Sequence, residues 1–112
     1  MLTETKADLR QAVLNQLGKG KSQAIPGKLL AQRLREKDTR KIRLAIQELI
    51  EQGYPVIGSA SPPYGYYLAE NAGECRENLD QLMSYLKMIA RHHKQLMRAS
   101  YKHFSGQMRM GL

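Results

Sequence analysis

The apolar residues of this chain recur at helical spacing in four stretches and at strand-like spacing in one further region. The first stretch predicts an amphipathic helix over residues 3–17, because Leu9, Val13 and Leu17 recur every four residues. The segment 18–22 that follows is rich in glycine and lysine, which predicts a flexible, cationic loop.

Two further helices are predicted in close succession. The second begins at Pro26, where the missing backbone N–H is harmless, and ends at about Leu34. The third runs from Thr39 to about Gln52, and Asp38 is its expected N-cap, since a carboxylate accepts the free N–H groups of a first turn. Its apolar stripe consists of Ile42, Ala45, Ile46, Leu49 and Ile50. We therefore expect two helices joined by a short polar link.

The pattern then changes to that of β-structure. Residues 54–58 and 66–69 are rich in Val, Ile and Tyr, and the stretch between them holds the Ser, Pro and Gly typical of turns. This arrangement predicts a hairpin. We expect Val56, Tyr66 and Leu68 on its inward face, because residues two apart on a strand share a face.

A long helix is predicted over residues 73–104, because neither Gly nor Pro interrupts residues 74–104 and the apolar residues alternate by three and four, as in heptads. Soluble monomers avoid large exposed apolar faces, so we expect this helix to pair with a second copy. Parallel and antiparallel pairing are both open. The residues predicted at the dimer contact are Leu82, Leu86, Ile89, His93, Leu96 and Met97.

The fold class predicted from these elements is mainly α with a small β-hairpin. We expect the three helices and the hairpin to form one domain over residues 1–70, followed by the long helix. Residues 105–112 are expected to be a flexible tail.

The order of elements resembles a winged helix-turn-helix domain. The segments that carry the resemblance are IPGKLLA at 25–31, DTRKIRLAI at 38–46, QGYPVIGS at 52–59 and YGYYL at 64–68. They are similar to the DNA-binding domain of the biotin ligase/repressor family and to small winged-helix proteins of phages and prophages. The resemblance implies that the third helix enters the DNA major groove. In two respects the chain departs from it: the link between the helices lacks the usual glycine, and residues 54–69 contain no Lys or Arg.

Charge strengthens the expectation of a polyanionic partner. The 112 residues include 18 Lys or Arg and 10 Asp or Glu, for a net charge of +8, and residues 19–43 hold nine of the basic residues against two acidic ones. We expect Thr39, Arg40, Lys41 and Arg43 to contact bases or phosphates of double-stranded DNA. We expect phosphate contacts from Lys19, Lys21 and Lys28. A solvated basic face is the alternative for each group.

The sequence gives little indication of metal binding, catalysis or cofactor binding. The three histidines lack ligand partners at metal spacing, and no nucleophile, paired carboxylate or glycine-rich phosphate loop is present. We therefore expect no enzyme activity, cofactor, metal or small-molecule ligand, and no membrane contact. The single Cys75 excludes an intrachain disulfide, so a reduced, cytoplasmic setting is expected. A basic stripe on the long helix is either the outer face of a coiled coil or a second anionic contact.

The leading hypothesis is a DNA-binding regulator of bacterial or phage transcription or replication. The alternative is a winged-helix adaptor that binds protein in a phage assembly or replication complex, and the uncharged hairpin favours it. RNA binding ranks third, because no pattern of aromatic and basic residues for base stacking is present.

Overall fold

The structure is a computed structural model that describes residues 6–105. In chain order the elements are α1 (Lys6–Gln16), a short 3-10 helix (Lys21–Gln23), α2 (Gly27–Arg33), α3 (Arg40–Glu51), β1 (Val56–Ser59), β2 (Gly65–Leu68) and α4 (Ala72–His103). The predicted fold class, mainly helical with a small antiparallel hairpin and a long C-terminal helix, is confirmed. The chain divides into two compact units, with the boundary between Arg76 and Glu77, inside α4.

The core of the first unit lies between α1, α2, α3 and the hairpin. Its most deeply buried side chains are Val13, Leu30, Ile42 and Leu49. An ion pair of 3.1 Å between Arg10 Nη1 and Glu48 Oε1 joins α1 to α3 at the edge of this core. The predicted stripe of α3 is buried except at its end. Ile50 is 50% exposed, because it lies one position round the helix from the inward-facing Leu49.

The link between α2 and α3 is held by a Schellman motif. The N–H of Glu36 donates to the carbonyl of Ala31, and the N–H of Arg35 donates to that of Gln32. Arg35 has a φ of 58°, the left-handed conformation that glycine usually supplies at this position. Arg35 therefore takes the place of the glycine that is usual in such a link.

The N-cap of α3 is Thr39, one residue after the predicted Asp38, but the Asp38 carboxylate does bind the first turn as expected. Asp38 Oδ1 accepts a hydrogen bond from the N–H of Arg40 at 2.9 Å, within the first turn. The backbone hydrogen bonds of the helix begin with the one from the N–H of Arg43 to the carbonyl of Thr39, at 2.9 Å. The polar link thus ends in a well-defined helix start.

The segment predicted as a flexible loop after α1 is instead paired to β2, so that prediction is wrong. The N–H of Leu68 donates to the carbonyl of Gly18, and the N–H of Gly20 donates to that of Leu68, each at 2.8 Å. Further along, Ile25 and Tyr66 exchange two backbone hydrogen bonds of 3.0 and 2.8 Å. The hairpin is therefore flanked along β2 by the chain that connects α1 to α2.

Both faces of the hairpin carry buried residues. Val56 is buried in the main core, and Tyr66 and Leu68 pack against that core, as predicted. On the opposite face, the cross-strand partners Ile57 and Tyr67 are only 4% and 5% exposed. The sequence pattern had indicated one buried face only.

Helix α4 begins at Ala72, two residues before the stretch 74–104 that contains neither Gly nor Pro. Asn71 Oδ1 accepts from the N–H of Glu74 at 3.0 Å and so caps the helix. The long helix itself is as predicted, and among residues 72–103 none is buried. The predicted tail lies outside the described residues apart from Ser105. Within the described part of the chain, no helix combines the length and apolar character needed to cross a membrane.

Candidate nucleic-acid interface

Helix α3 has one buried and one exposed face, and the exposed face carries the predicted basic residues. Ile42, Ala45, Ile46 and Leu49 point into the core, which leaves Arg40 and Arg43 exposed on the other side. Arg43 Nη1 donates to Thr39 Oγ1 at 3.0 Å, so this guanidinium is held along the first turn. The four predicted residues of this cluster, Thr39, Arg40, Lys41 and Arg43, therefore lie together at the start of α3.

The charges on this face are only lightly compensated. Lys41 Nζ lies 3.9 Å from Glu36 Oε1; this ion pair is long and its lysine side chain is exposed, so most of the lysine charge remains available. For Arg40, no ion pair occurs among the described residues. The exposed face of α3 is accordingly positive at the start of the helix.

The starts of α2 and α3 lie close together beside β2. A Cβ built on Gly27 would be 3.4 Å from Tyr66 Cε2 and 3.7 Å from Thr39 Cγ2. Lys28 is exposed and is the next residue after Gly27, which lies beside Thr39. The structure thus brings Lys28 near the α3 cluster, although the two are separated by eleven positions in the sequence.

Lys21 is held at the turn of the hairpin. Its Nζ donates to Ser61 Oγ, and its backbone N–H donates to Glu74 Oε2 at 3.2 Å. The hairpin, which has no charged residue of its own between residues 54 and 69, therefore carries a cation at its turn. Sequence patterns could not reveal this pair, because Lys21 and Ser61 are 40 residues apart.

Lys19 occupies a different place from Lys21. It is exposed and pairs through its backbone with Leu68, at the end of β2 away from the hairpin turn. The structure therefore does not gather Lys19 with the cluster at the start of α3 by any contact that it describes.

Two exposed residues of α3 were missed by the sequence reasoning. Leu44 and Gln47 follow Arg40 by four and seven positions, so they lie on the same outward face. Leu44 is half exposed, although the rest of the aliphatic residues in the middle of α3 are buried. The signal was present: a leucine outside an otherwise regular apolar stripe marks a surface position.

No significant match to a family model, a curated protein or a solved structure was found for this chain. Within residues 6–105, no group of three or more His, Cys, Asp or Glu side chains is arranged to hold a metal ion.

Proposed function

We propose that this protein is a DNA-binding regulator of the winged-helix type, acting in bacterial or phage transcription or replication. The observation that carries the proposal is the exposed face of α3, where Arg40 and Arg43 stand opposite four buried residues at a helix start. A helix with such a face fits the major groove, and arginine is the side chain that most often reads guanine.

The neighbouring residues support the same use of this surface. Lys28 near the start of α3 and Lys21 at the hairpin turn are cations suited to phosphate contacts. Leu44 and Gln47 extend the face by one turn and supply an apolar group for a thymine methyl and an amide for adenine. We place the protein in the cytoplasm, where its proposed partner is found.

The second candidate is a winged-helix adaptor that binds another protein. The absence of Lys and Arg from residues 54–69 favours it, since wings that grip phosphate are usually basic. Lys21 weakens this argument, because its ammonium group supplies the charge that the hairpin lacks. DNA binding is therefore the better supported of the two.

The test is binding of the full chain to a fluorescent random duplex, followed by anisotropy over a series of salt concentrations. Affinity should fall as salt rises, because phosphate contacts release counterions. Arg40→Ala should weaken binding to a selected site about 5- to 150-fold, corresponding to about 1–3 kcal/mol. Arg98→Ala is the matched control, since it removes the same charge from an exposed position of α4.

Comparing Arg40→Ala with Arg98→Ala distinguishes DNA recognition through α3 from general charge attraction. A loss confined to Arg40→Ala supports recognition through α3, whereas equal losses would mean general charge attraction. If neither duplex nor single-stranded DNA binds at low salt, DNA binding is excluded and the adaptor function takes its place. Circular dichroism of both variants should match the parent, because both side chains are exposed.

A further inference from the structure

Helix α4 carries a continuous apolar face that the chain leaves exposed. The apolar residues of this face share the a, d and e positions of a heptad and are between 42% and 65% exposed. They are Leu79, Leu82, Met83, Leu86, Ile89, Leu96 and Met97. This face contrasts with that of α3, where the residues at equivalent spacing are buried.

The exposed area matches what one partner contributes to a stable dimer. Seven such side chains, each more than two-fifths exposed, come to about 700 Å², against roughly 800 Å² per partner in a standard interface. This exceeds the largest apolar patch of a typical soluble monomer, roughly 300–600 Å². A second copy of the same helix supplies a face of equal size and character.

The charges of α4 distinguish its two halves. Residues 72–86 hold three acidic residues and one basic residue, whereas residues 87–103 hold five basic residues and no acidic one. In a parallel pair the two basic halves would lie side by side and repel each other. In an antiparallel pair each basic half lies at the level of the acidic half of its partner. Because these charges occupy outer positions of the heptads, they favour this orientation through long-range attraction and not through ion pairs across the seam.

The polar residues within the seam favour the same orientation. Leu79 to Ile89 supply an apolar first half, whereas the a and d positions of the second half include His93, Ser100 and His103. A parallel pair would stack each of these polar residues on its own copy. An antiparallel pair separates the two copies of each polar residue and places His93 of one helix against Leu82 of the other.

We propose that α4 forms an antiparallel homodimer through residues 79–97, centred between Leu86 and Ile89. In this register Leu86 of one copy packs on Ile89 of the other, Leu82 packs on His93, and Leu79 packs on Leu96. All seven exposed apolar residues then lie within the paired segment, and the two copies of His93 are kept apart.

Disulfide cross-linking of the full chain tests the orientation. Leu79→Cys and Leu96→Cys are made separately, each with Cys75→Ser to remove the natural thiol. A mixture of the two variants should give a disulfide-linked dimer under mild oxidation, and each variant alone should not. In the antiparallel register two copies of residue 79 lie about 25 Å apart along the helix pair, beyond the reach of a disulfide.

Efficient cross-linking of Leu79→Cys with itself would overturn the antiparallel arrangement in favour of a parallel one. Sedimentation equilibrium tests the dimer independently. Leu86→Asp should raise the dimer dissociation constant at least about 100-fold, because it buries a charge in the seam. Ser84→Asp introduces the same charge on the outward face of α4 and should leave the constant unchanged. A parent chain that remains monomeric at high micromolar concentration would overturn the proposal.

Discussion

Gly65 is the glycine at which an added methyl group should lower the free energy of unfolding most. Its φ is 132°, a conformation that residues with a side chain rarely adopt. A Cβ built there would lie 2.3 Å from the carbonyl carbon and 2.4 Å from the carbonyl oxygen of Ile25. Both are backbone atoms, so no side chain can rotate away to relieve the contact.

The cost of Gly65→Ala has two parts. The unfavourable φ costs about 1–3 kcal/mol. Moving Ile25 away would also break the two backbone hydrogen bonds that it exchanges with Tyr66, worth about 1 kcal/mol each. We therefore expect the free energy of unfolding to fall by about 3–5 kcal/mol, a large part of the stability of a domain this small.

Gly53→Ala is the matched control. Gly53 also has a positive φ, 102°, but nothing lies within 4 Å of the position that its Cβ would occupy. It should therefore cost only the conformational part, about 1–3 kcal/mol. Urea unfolding followed by circular dichroism gives both values. If Gly65→Ala destabilises the protein no more than Gly53→Ala does, the close approach of Ile25 to β2 is not a feature of the folded chain.

Two further predictions concern the link and the start of α4. Arg35→Gly should raise the free energy of unfolding by about 1 kcal/mol, because glycine adopts the left-handed conformation without strain; an unchanged urea midpoint would contradict this. Glu74→Ala should lower it by about 2 kcal/mol, because the carboxylate accepts from the N–H groups of Lys21 and Glu70. Glu77→Ala, an exposed control three residues on, should melt like the parent, and equal melting of both variants would refute the role of Glu74.

The helices could be predicted because their formation depends on local spacing. The buried stripe of α3, the hydrogen bond from its first turn to Asp38 and the extent of α4 all follow from residues within a turn or two of each other. Ile50 was assigned to the core because it is apolar and close to the stripe. Its exposure shows that the buried face of α3 ends at Leu49, so apolar character alone does not place a residue in the core.

The remaining features depend on contacts between distant segments. The pairing of residues 18–20 with β2 and the contact of Lys21 with Ser61 join parts of the chain about 40 or more residues apart. The periodicity of apolar residues along the chain does not indicate which distant segments will pair. The start of α4 was different, since Asn71 and Glu74 have the spacing of a capping box. That signal gives a helix start at Ala72, one residue before the start predicted at residue 73.

The hydrogen bonds of Glu74 determine where the chain can be cut. The first turn of α4 holds the backbone of Lys21, and the side chain of Lys21 in turn holds the hairpin turn. A truncation that ends at Asn71 would remove the helix and also release the segment that presents Lys21. A fragment intended to isolate the first unit should therefore extend through Arg76, where the contacts of that unit end. A cut at the domain boundary predicted at residue 70 would yield a fragment with an altered surface.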